Sequence, residues 1–516
     1  MTRLLSALIV ALTLFAGVPA CGGDAPPPSP SPSPVTAAPT ATPPDSAYDV
    51  RDYGARGDGT TDDSAALTAA VAAAATDGGL VYLPAGTYPY PGNDGLDLPD
   101  GVKLRGESAA TSWLKGRLNF GSRSRISELK IGDVGTCAVT NAADARGTTF
   151  SRCRLHGGGS SEGVNSSVLY LGGSQGNVSD VVFLDCEIER TSYQPPAGLD
   201  AYAANVGNTI TIHEFTHLPD SGHVDGITFR DCHLGASNGT DTGALRMMME
   251  AYSWDGRTGR AYHGWQDLTF DGCTIEASDA TALDFADGTL TDAGERSARG
   301  ALVTGCTFLG ARKDDAFGHG GATIVYEGPS DIVIKKNLFY AVPQNVIGGS
   351  HILEGEDSPG LLIQGNTFDM TKSPTGLKHE REQACINLVG YDSRVVDNAF
   401  IYDAGMGVLI KGGGGNTVFA AVGNLISDNT FTDTRSGGGE PTIVLTDDYG
   451  LGCHDNRITA NTITNRGAGD AGVISQTSGT GTNYATDNLI YCGSSLPFVV
   501  LSGRIVQKGN RIEDGR

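Results

Sequence analysis

The chain is poor in positive charge. Its 516 residues include 36 Lys and Arg against 59 Asp and Glu, a formal net charge of -23. Nucleic-acid binding rests on clustered Lys and Arg that displace counterions from phosphates, so a nucleic-acid partner is not expected. Long apolar runs are scarce too, and beyond residue 20 no stretch is long enough to cross a bilayer. No Lys-Ser or Lys-Thr follows the glycine run Gly412 to Gly415, which therefore reads as a turn and not as a phosphate-binding loop.

Glycine, by contrast, is abundant, with 73 residues. Helix-rich chains rarely carry so much, whereas a solenoid that turns tightly at every corner needs it. A repeat confirms the direction. ALVTGCTFLGA from Ala301, DIVIKKNLFYA from Asp331 and GLLIQGNTFDM from Gly360 share alternating apolar residues around one small or amide residue. Period-two alternation is a strand signal, and recurrence at a fixed spacing is a repeat signal. The fixed residue is Cys153, Cys186, Cys232, Cys273, Cys306, Asn337, Asn366, Asn398, Asn429, Asn461 and then Cys492, in steps of 29 to 46 residues. One step accommodates three short strands and three turns, so successive circuits stack at the strand spacing of ~4.8 Å. Stacked amides hydrogen-bond from coil to coil, and small thiols fill the same inward turn. The fold class is all-β, a right-handed parallel β-helix, with residues 47–516 forming one solenoid domain.

Residues 1–20 read as a signal peptide, with Arg3 as the positive end, an apolar stretch from Leu4 to Val18, and processing at Val18-Pro19-Ala20-Cys21. This site resembles a bacterial lipoprotein box, which implies lipid attachment to Cys21, a membrane partner through that anchor, and display on the cell surface. Residues 21–46, rich in Pro, Ser, Thr and Ala, form the tether. The nine other cysteines are expected as buried free thiols, because stacked side chains point in parallel, a poor geometry for bonding.

Asp62-Asp63, an alanine-rich run and Gly78-Gly79 mark a helix that caps the open apolar end of the solenoid. This stretch resembles the start of pectate lyase superfamily β-helix proteins, a grouping shared with polygalacturonases of glycoside hydrolase family 28 and phage tailspikes. The residues carrying it are Asp52-Tyr53-Gly54-Ala55, Gly57-Asp58-Gly59, Thr61-Asp62-Asp63, Val81 to Tyr88 and Leu98 to Gly106. The resemblance implies a protein directed at a polysaccharide. Polygalacturonase-like enzymes carry Asn-Thr-Asp, a paired Asp-Asp and a separate Gly-His-Gly. Here Asp314-Asp315 and Gly318-His319-Gly320 lie three residues apart, with no Asn-Thr-Asp on the preceding coil.

A second constellation lies at the ends of strands. TIHE ends at Glu214, MMME at Glu250, DFAD at Asp287, IVYE at Glu327 and HILE at Glu354. Stacked in one column at ~4.8 Å, these acids repel one another. Cations bridge them, shared protons neutralise them, or they splay into solvent as charged residues at turns commonly do. Calcium prefers oxygen ligands, so Glu250, Asp287 and Glu327 are the candidate calcium ligands. The longest coils insert TSYQPPAGLDAYAAN and AYSWDGRTGRAYHGW. The second brings Tyr252, Trp254, Tyr262, His263 and Trp265 close behind Glu250, with Arg246 just before it. Exposed rings stack on sugars, so these are the candidate substrate-binding residues, packing of the loop being the plain alternative.

The expected function is action on an extended polysaccharide laid along the solenoid. Hydrolysis draws two carboxylates from Glu250, Asp284, Asp287, Asp314, Asp315 and Glu327. Lyase chemistry takes a base such as His319, Lys313 or Arg246, with a cation quenching the uronate charge. A non-catalytic adhesin or glycan-binding β-helix is the rival class. These alternatives stay open, and the residues assign no oligomeric state. His213-Glu214-Phe215-Thr216-His217 matches the zinc-protease pattern HExxH, but it continues the strand Thr209 to Ile212. Residues four apart on a strand lie ~13 Å apart, too far to share one zinc.

Overall fold

A computed structural model describes residues 47–516, apart from 93, 134, 136, 159–166, 173–175, 191–208, 215–221, 236–248, 253–263, 277–281, 287–297, 310–322, 341–346, 350–359, 373–383, 413–419, 436–439, 448–449, 451, 466–471, 493–496 and 515–516. The signal peptide, Cys21 and the tether thus lie outside the described residues. The rest is a right-handed parallel β-helix of three sheets with 19, 15 and 14 strands, each strand pairing with its equivalent one coil away. One coil runs Thr228–Arg230 in the first sheet, His233–Gly235 in the second and Met249–Tyr252 in the third.

The amino-terminal end is closed by the helix Ser64–Ala74, whose buried face is Ala66, Leu67, Ala70, Val71 and Ala74. That spacing puts five small or apolar side chains on one stripe. The two acids before the helix divide the work. Asp62 Oδ1 accepts the Ser64 backbone N–H at 3.0 Å, while Asp63 turns away to accept the N–H groups of Arg56 and Gly57 at 2.7 and 3.0 Å.

The ladder at the turn from first to second sheet is built as expected up to Asn461. Asn366 shows the unit. Its Nδ2 donates to Ile334 O at 2.9 Å and to Asn398 Oδ1 at 3.0 Å, and its own Oδ1 accepts both the N–H and the Nδ2 of Asn337. In the earlier coils a thiol takes the place of the amide nitrogen, as where Cys306 Sγ donates to Phe270 O at 3.5 Å. All nine described cysteines are free and buried.

The end of the ladder differs from expectation. Cys492 closes the second-sheet strand Leu489–Cys492, opposite Asn465 and Asp514. Asn488 and then Asn510 continue the ladder, each accepting from the amide before it. The last two circuits are only 27 and 22 residues, so a step of thirty overshoots. A second amide ladder, Asn424–Asn456–Asn483, runs parallel to the first near the carboxy-terminal end and finishes on Gln476 Oε1.

Aromatic rings follow the same logic. Phe150, Phe183, Phe229 and Phe270 stack in the first sheet at 4.8 to 5.1 Å. Phe308, Phe339, Phe368, Phe400 and Phe431 stack in the second at 4.5 to 4.8 Å. Each coil from Phe150 to Phe431 therefore holds one phenylalanine beside the ladder turn, before it in the early coils and after it in the later ones. One ring per coil keeps the interior volume constant, as close packing demands.

Acids are dispersed, not stacked, at the corner leading into the first sheet. Left-handed residues there alternate along the solenoid as Asp180, Gly226, Asp267, Gly300, Asp331, Gly360, Asp392, Gly423 and Asp455. A carboxylate on every second coil is ~9.6 Å from the next, which relieves the repulsion. The glycine between is required, because a Cβ at Gly300 would stand 2.5 Å from Asp267 Oδ1.

Candidate active site

The turn from first to second sheet admits only a left-handed residue and its ladder partner. Insertions therefore enter on either side of the third sheet. In the coil of Ile210–His213, for example, residues 191–208 precede that strand and 215–221 follow it.

Backbone pairing on the third sheet defines one row across the coils: Asp97, Asn119, Thr140, Tyr170, Thr211, Glu250 and Asp284, then Val325, Gly348, Asn387, Leu409 and Val444. The row is polar as far as Asp284 and mainly apolar after it. Its pairing is set by the alternating residues beside it, where Ile210, Met249, Leu283 and Ile324 lie opposite one another.

This register corrects the expected acid column. Glu250 stands opposite Thr211 and Asp284, whereas Glu327 stands opposite Ala286, two residues further along. Glu214 lies beyond the end of its strand. Aligning strands by their final acid fails because the apolar residues fix the register and the strands end at different distances from them. Of Glu250, Tyr252 and Glu327 the structure describes only the backbone. Arg246, Trp254, Tyr262, His263, Asp287, Lys313, Asp314, Asp315, His319 and Glu354 lie outside the described residues.

Asp284 is placed on the polar row and is buried. Trp265 is not a groove residue. It is fully buried, with its ring 5.9 Å from that of Phe285, so it packs the core and cannot stack on a sugar.

The row contains a group that the spacing of the acids did not suggest. Tyr170 Oη lies 2.9 Å from His213 Nδ1, joining adjacent coils, with the two rings at 84°. Burial pushes the Tyr170 hydroxyl up to about 12. It therefore stays protonated at neutral pH. Beside it Ser167 Oγ and Thr211 Oγ1 are 2.6 Å apart. The next residue, Glu214, is fully buried, and its carboxylate accepts from His223 Nδ1 at 2.9 Å and from the Val224 N–H at 2.6 Å. The HExxH motif is thus extended at His213, as its sequence context requires, and His217 lies outside the described residues. The signal for the Tyr170 pair was legible in principle. LYLG and ITIH are both apolar-alternating strands one coil apart, with polar residues at matching positions.

Calcium ligands were expected at Glu250, Asp287 and Glu327. Among the described residues no group of three or more His, Cys, Asp or Glu surrounds a common point. The register sets Glu327 two residues along from the row that holds Glu250.

Comparison with known proteins agrees with this architecture. Residues 47–256 match the family model described as rhamnogalacturonase A/epimerase, pectate lyase-like, which spans the cap and the coils as far as Glu250 on the polar row. This part of the chain is pectate lyase-like. Among individual proteins, mannuronan C5-epimerase AlgE4 of Azotobacter vinelandii is 34% identical over 169 residues, 32% of this chain and 29% of that protein. Alginate lyase 7 of the same organism is 54% identical over 48 residues, 9% of this chain and 6% of that protein. The chain thus matches less than a third of the length of either relative. The surface adhesin PfbA of Streptococcus pneumoniae aligns over 90% of this chain and 93% of its own, at 14% identity and a TM-score of 0.43.

Proposed function

We propose that the protein acts on an acidic polysaccharide by transferring the proton at C5 of a uronate unit, as a C5-epimerase. A lyase is the second reading, in which the same abstraction expels the glycosidic oxygen at C4. The observation that carries this is the Tyr170–His213 hydrogen bond on the polar row of the third sheet. A protonated phenol backed by an imidazole can deliver a proton to carbon and be recharged through the ring, which is general acid–base chemistry. Hydrolysis needs two acids at the surface, one on each side of the glycosidic bond. Among the expected hydrolytic acids, Asp284 is the one whose side chain is described, and it is buried. The similarity to a mannuronan C5-epimerase and an alginate lyase supports a uronate as the substrate. A chain of charge -23 repels a polyuronate, so binding should require enough salt or divalent cation to screen that repulsion.

The test is incubation with polymannuronate, polyguluronate and polygalacturonate in D2O. Proton NMR should show the H5 signal lost as deuterium enters at C5 with inversion, or, for elimination, an unsaturated product with no hydrogen at C5. Tyr170→Phe should lower the yield of inverted or unsaturated product at least ~100-fold, the usual worth of a positioned acid. New reducing ends with neither deuterium nor unsaturation would mean hydrolysis, and binding without turnover would mean a glycan-binding module. We further propose that Cys21 carries lipid and anchors the protein at the bacterial cell surface. Cys21→Ala should move it from membranes into the soluble secreted fraction, and retention after a salt wash would refute the anchor.

A further inference from the structure

The solenoid ends on an open core. Inward positions of the second sheet stack as Ile463, Ile490 and Ile512, of which the first two are fully buried and Ile512 is 51% exposed. Ile512 differs from them only in that no further coil covers it among the described residues. Val500, 41% exposed, ends an inward row of the third sheet behind Leu445 and Gln476, and Leu501 beside it is 72% exposed. We propose that this end docks, head to tail, onto the cap helix Ser64–Ala74 of a second copy of the chain.

Three observations name that occupant. The first is charge. Arg504, Lys508 and Arg511 are exposed around the open end, and of these Arg511 alone is ion-paired among the described residues, to Glu513 at 2.8 Å. Around the cap helix Asp52, Asp58, Asp62 and Asp77 are exposed against Arg51 and Arg56. A basic end and an acidic end attract, while like ends repel. The second is the direction of the amide ladder. Asn488 gives its N–H and its Nδ2 to Asn510 Oδ1 at 3.0 and 2.9 Å, as Asn461 does to Asn488. Asn510 Nδ2 gives one hydrogen to Ala485 O at 2.8 Å, which leaves its N–H and its second amide hydrogen for an acceptor beyond the end. Carboxylates supply acceptors, and a second open end supplies donors. The third is the outer face of the cap. Terminal repeats of a solenoid carry a polar outer face, and this one does not. The helix packs inward against Ala47–Asp49, Leu80–Leu83 and Leu96–Leu98. Its outward residues are Ala65, Thr68, Ala69 and Ala72, with no charge between Asp63 and Asp77. A helix that is apolar on both sides is one that is buried on both. Its small residues leave room that Val500, Leu501 and Ile512 fill.

The contact is heterologous, because the patch on one copy differs from the patch it meets. Each added copy therefore keeps one free end, and rows of copies grow along the solenoid axis. Tail-to-tail pairing is the closed alternative. It sets Arg504, Lys508 and Arg511 against their own equivalents and ladder donors against ladder donors, so charge and hydrogen bonding both oppose it. The Tyr170–His213 pair lies at neither end, so assembly and chemistry are tested separately.

The experiment is sedimentation velocity on the purified Cys21→Ala protein from ~1 to ~100 μM, the range in which modest specific contacts form. With both ends unchanged it should give dimers and longer species that grow with concentration. Leu501→Asp spoils the open end and Ala69→Glu spoils the cap, each by placing a carboxylate in an apolar contact. Both positions are exposed, so each variant should keep the circular dichroism and melting temperature of the parent. Either substitution alone should leave monomer. An equimolar mixture of the two should give a dimer and nothing longer, because one sound cap then meets one sound end. Monomer throughout for the unchanged protein overturns the proposal, as does a mixture that stays monomeric. Association that Ala69→Glu leaves intact also overturns it, and would mean that open ends pair with each other. Turnover of polyuronates is scored in the same samples, and its absence would count against the proposed function alone.

Discussion

Gly172 sets the geometry of the Tyr170–His213 pair. It lies opposite His213 with φ of +88°, and a Cβ there would stand 2.4 Å from His213 O and 2.5 Å from Val224 Cγ2. Gly172→Ala must displace either the His213 backbone or the strand that follows His223. We expect the yield of inverted or unsaturated product to fall at least ~10-fold with the fold retained, since small displacements of positioned groups are costly; a wild-type yield would show that the pair tolerates the shift. Two other histidines govern pH dependence. Burial lowers the pKa of His156 below its usual 6.5, with Lys130 adding to the effect. Stability is therefore lost as pH falls through 6.5 towards the folded value, because the unfolded chain binds that proton more readily. His233 has its pKa raised, chiefly by its hydrogen bond to Glu276, so its contribution is present below 6.5 and lost as pH rises through the raised value. Being about half exposed, that pair is worth at most ~1 kcal/mol. Melting curves across this range should flatten on the acid side in His156→Gln and on the alkaline side in His233→Gln. At this scale the sequence was only partly legible. Asp284 was named only as one of six candidate carboxylates, and the acid column was misregistered, because a carboxylate at a strand end says nothing about which residue it faces. Trp265 was read as a surface ring because its insertion is polar, whereas Phe285 on the next coil holds it inside.

Among elements, the ladder coils were the most legible feature, since a buried amide can be satisfied only by repetition. Asn366→Leu removes two donations and an acceptor shared by the N–H and Nδ2 of Asn337. Each group left unsatisfied costs ~1–3 kcal/mol, so a lower melting temperature is expected, and wild-type stability would refute the stacking. The thiol coils permit a sharper comparison. Cys306 already gives its N–H to Asn337 Oδ1, and its coil carries Phe308 after the turn, as the amide coils do. Cys306→Asn should therefore extend the ladder with a change within ~1 kcal/mol, close to the net worth of one hydrogen bond. Cys232 has Phe229 before the turn and thiols on both neighbouring coils. Cys232→Asn should be the more destabilising of the two, and equal melting temperatures would show that the ring position does not matter. What the sequence hid was the termination of the ladder, because Cys492 sits at the expected spacing and only the shortening of the last circuits displaces it.

Across the whole molecule, three changes coincide between Phe270 and Asn337. The phenylalanine stack moves from first to second sheet, the ladder turns from thiol to amide, and the row on the third sheet loses its polarity after Asp284. A solenoid is held together coil by coil, so the two halves need not change together. The coils beyond the changeover behave as a strut whose length is adjustable. Deleting one complete period there, residues 367–398, would bring Asn366 onto Asn429 and shorten the body by ~4.8 Å, with no residue of the Tyr170 corner touched. The same excision from the thiol half would erase a coil of the polar row on which the proposed chemistry depends. Insertions and losses of whole turns are therefore affordable on one side of the seam only, and the protein's length can drift during descent while its working end is held fixed.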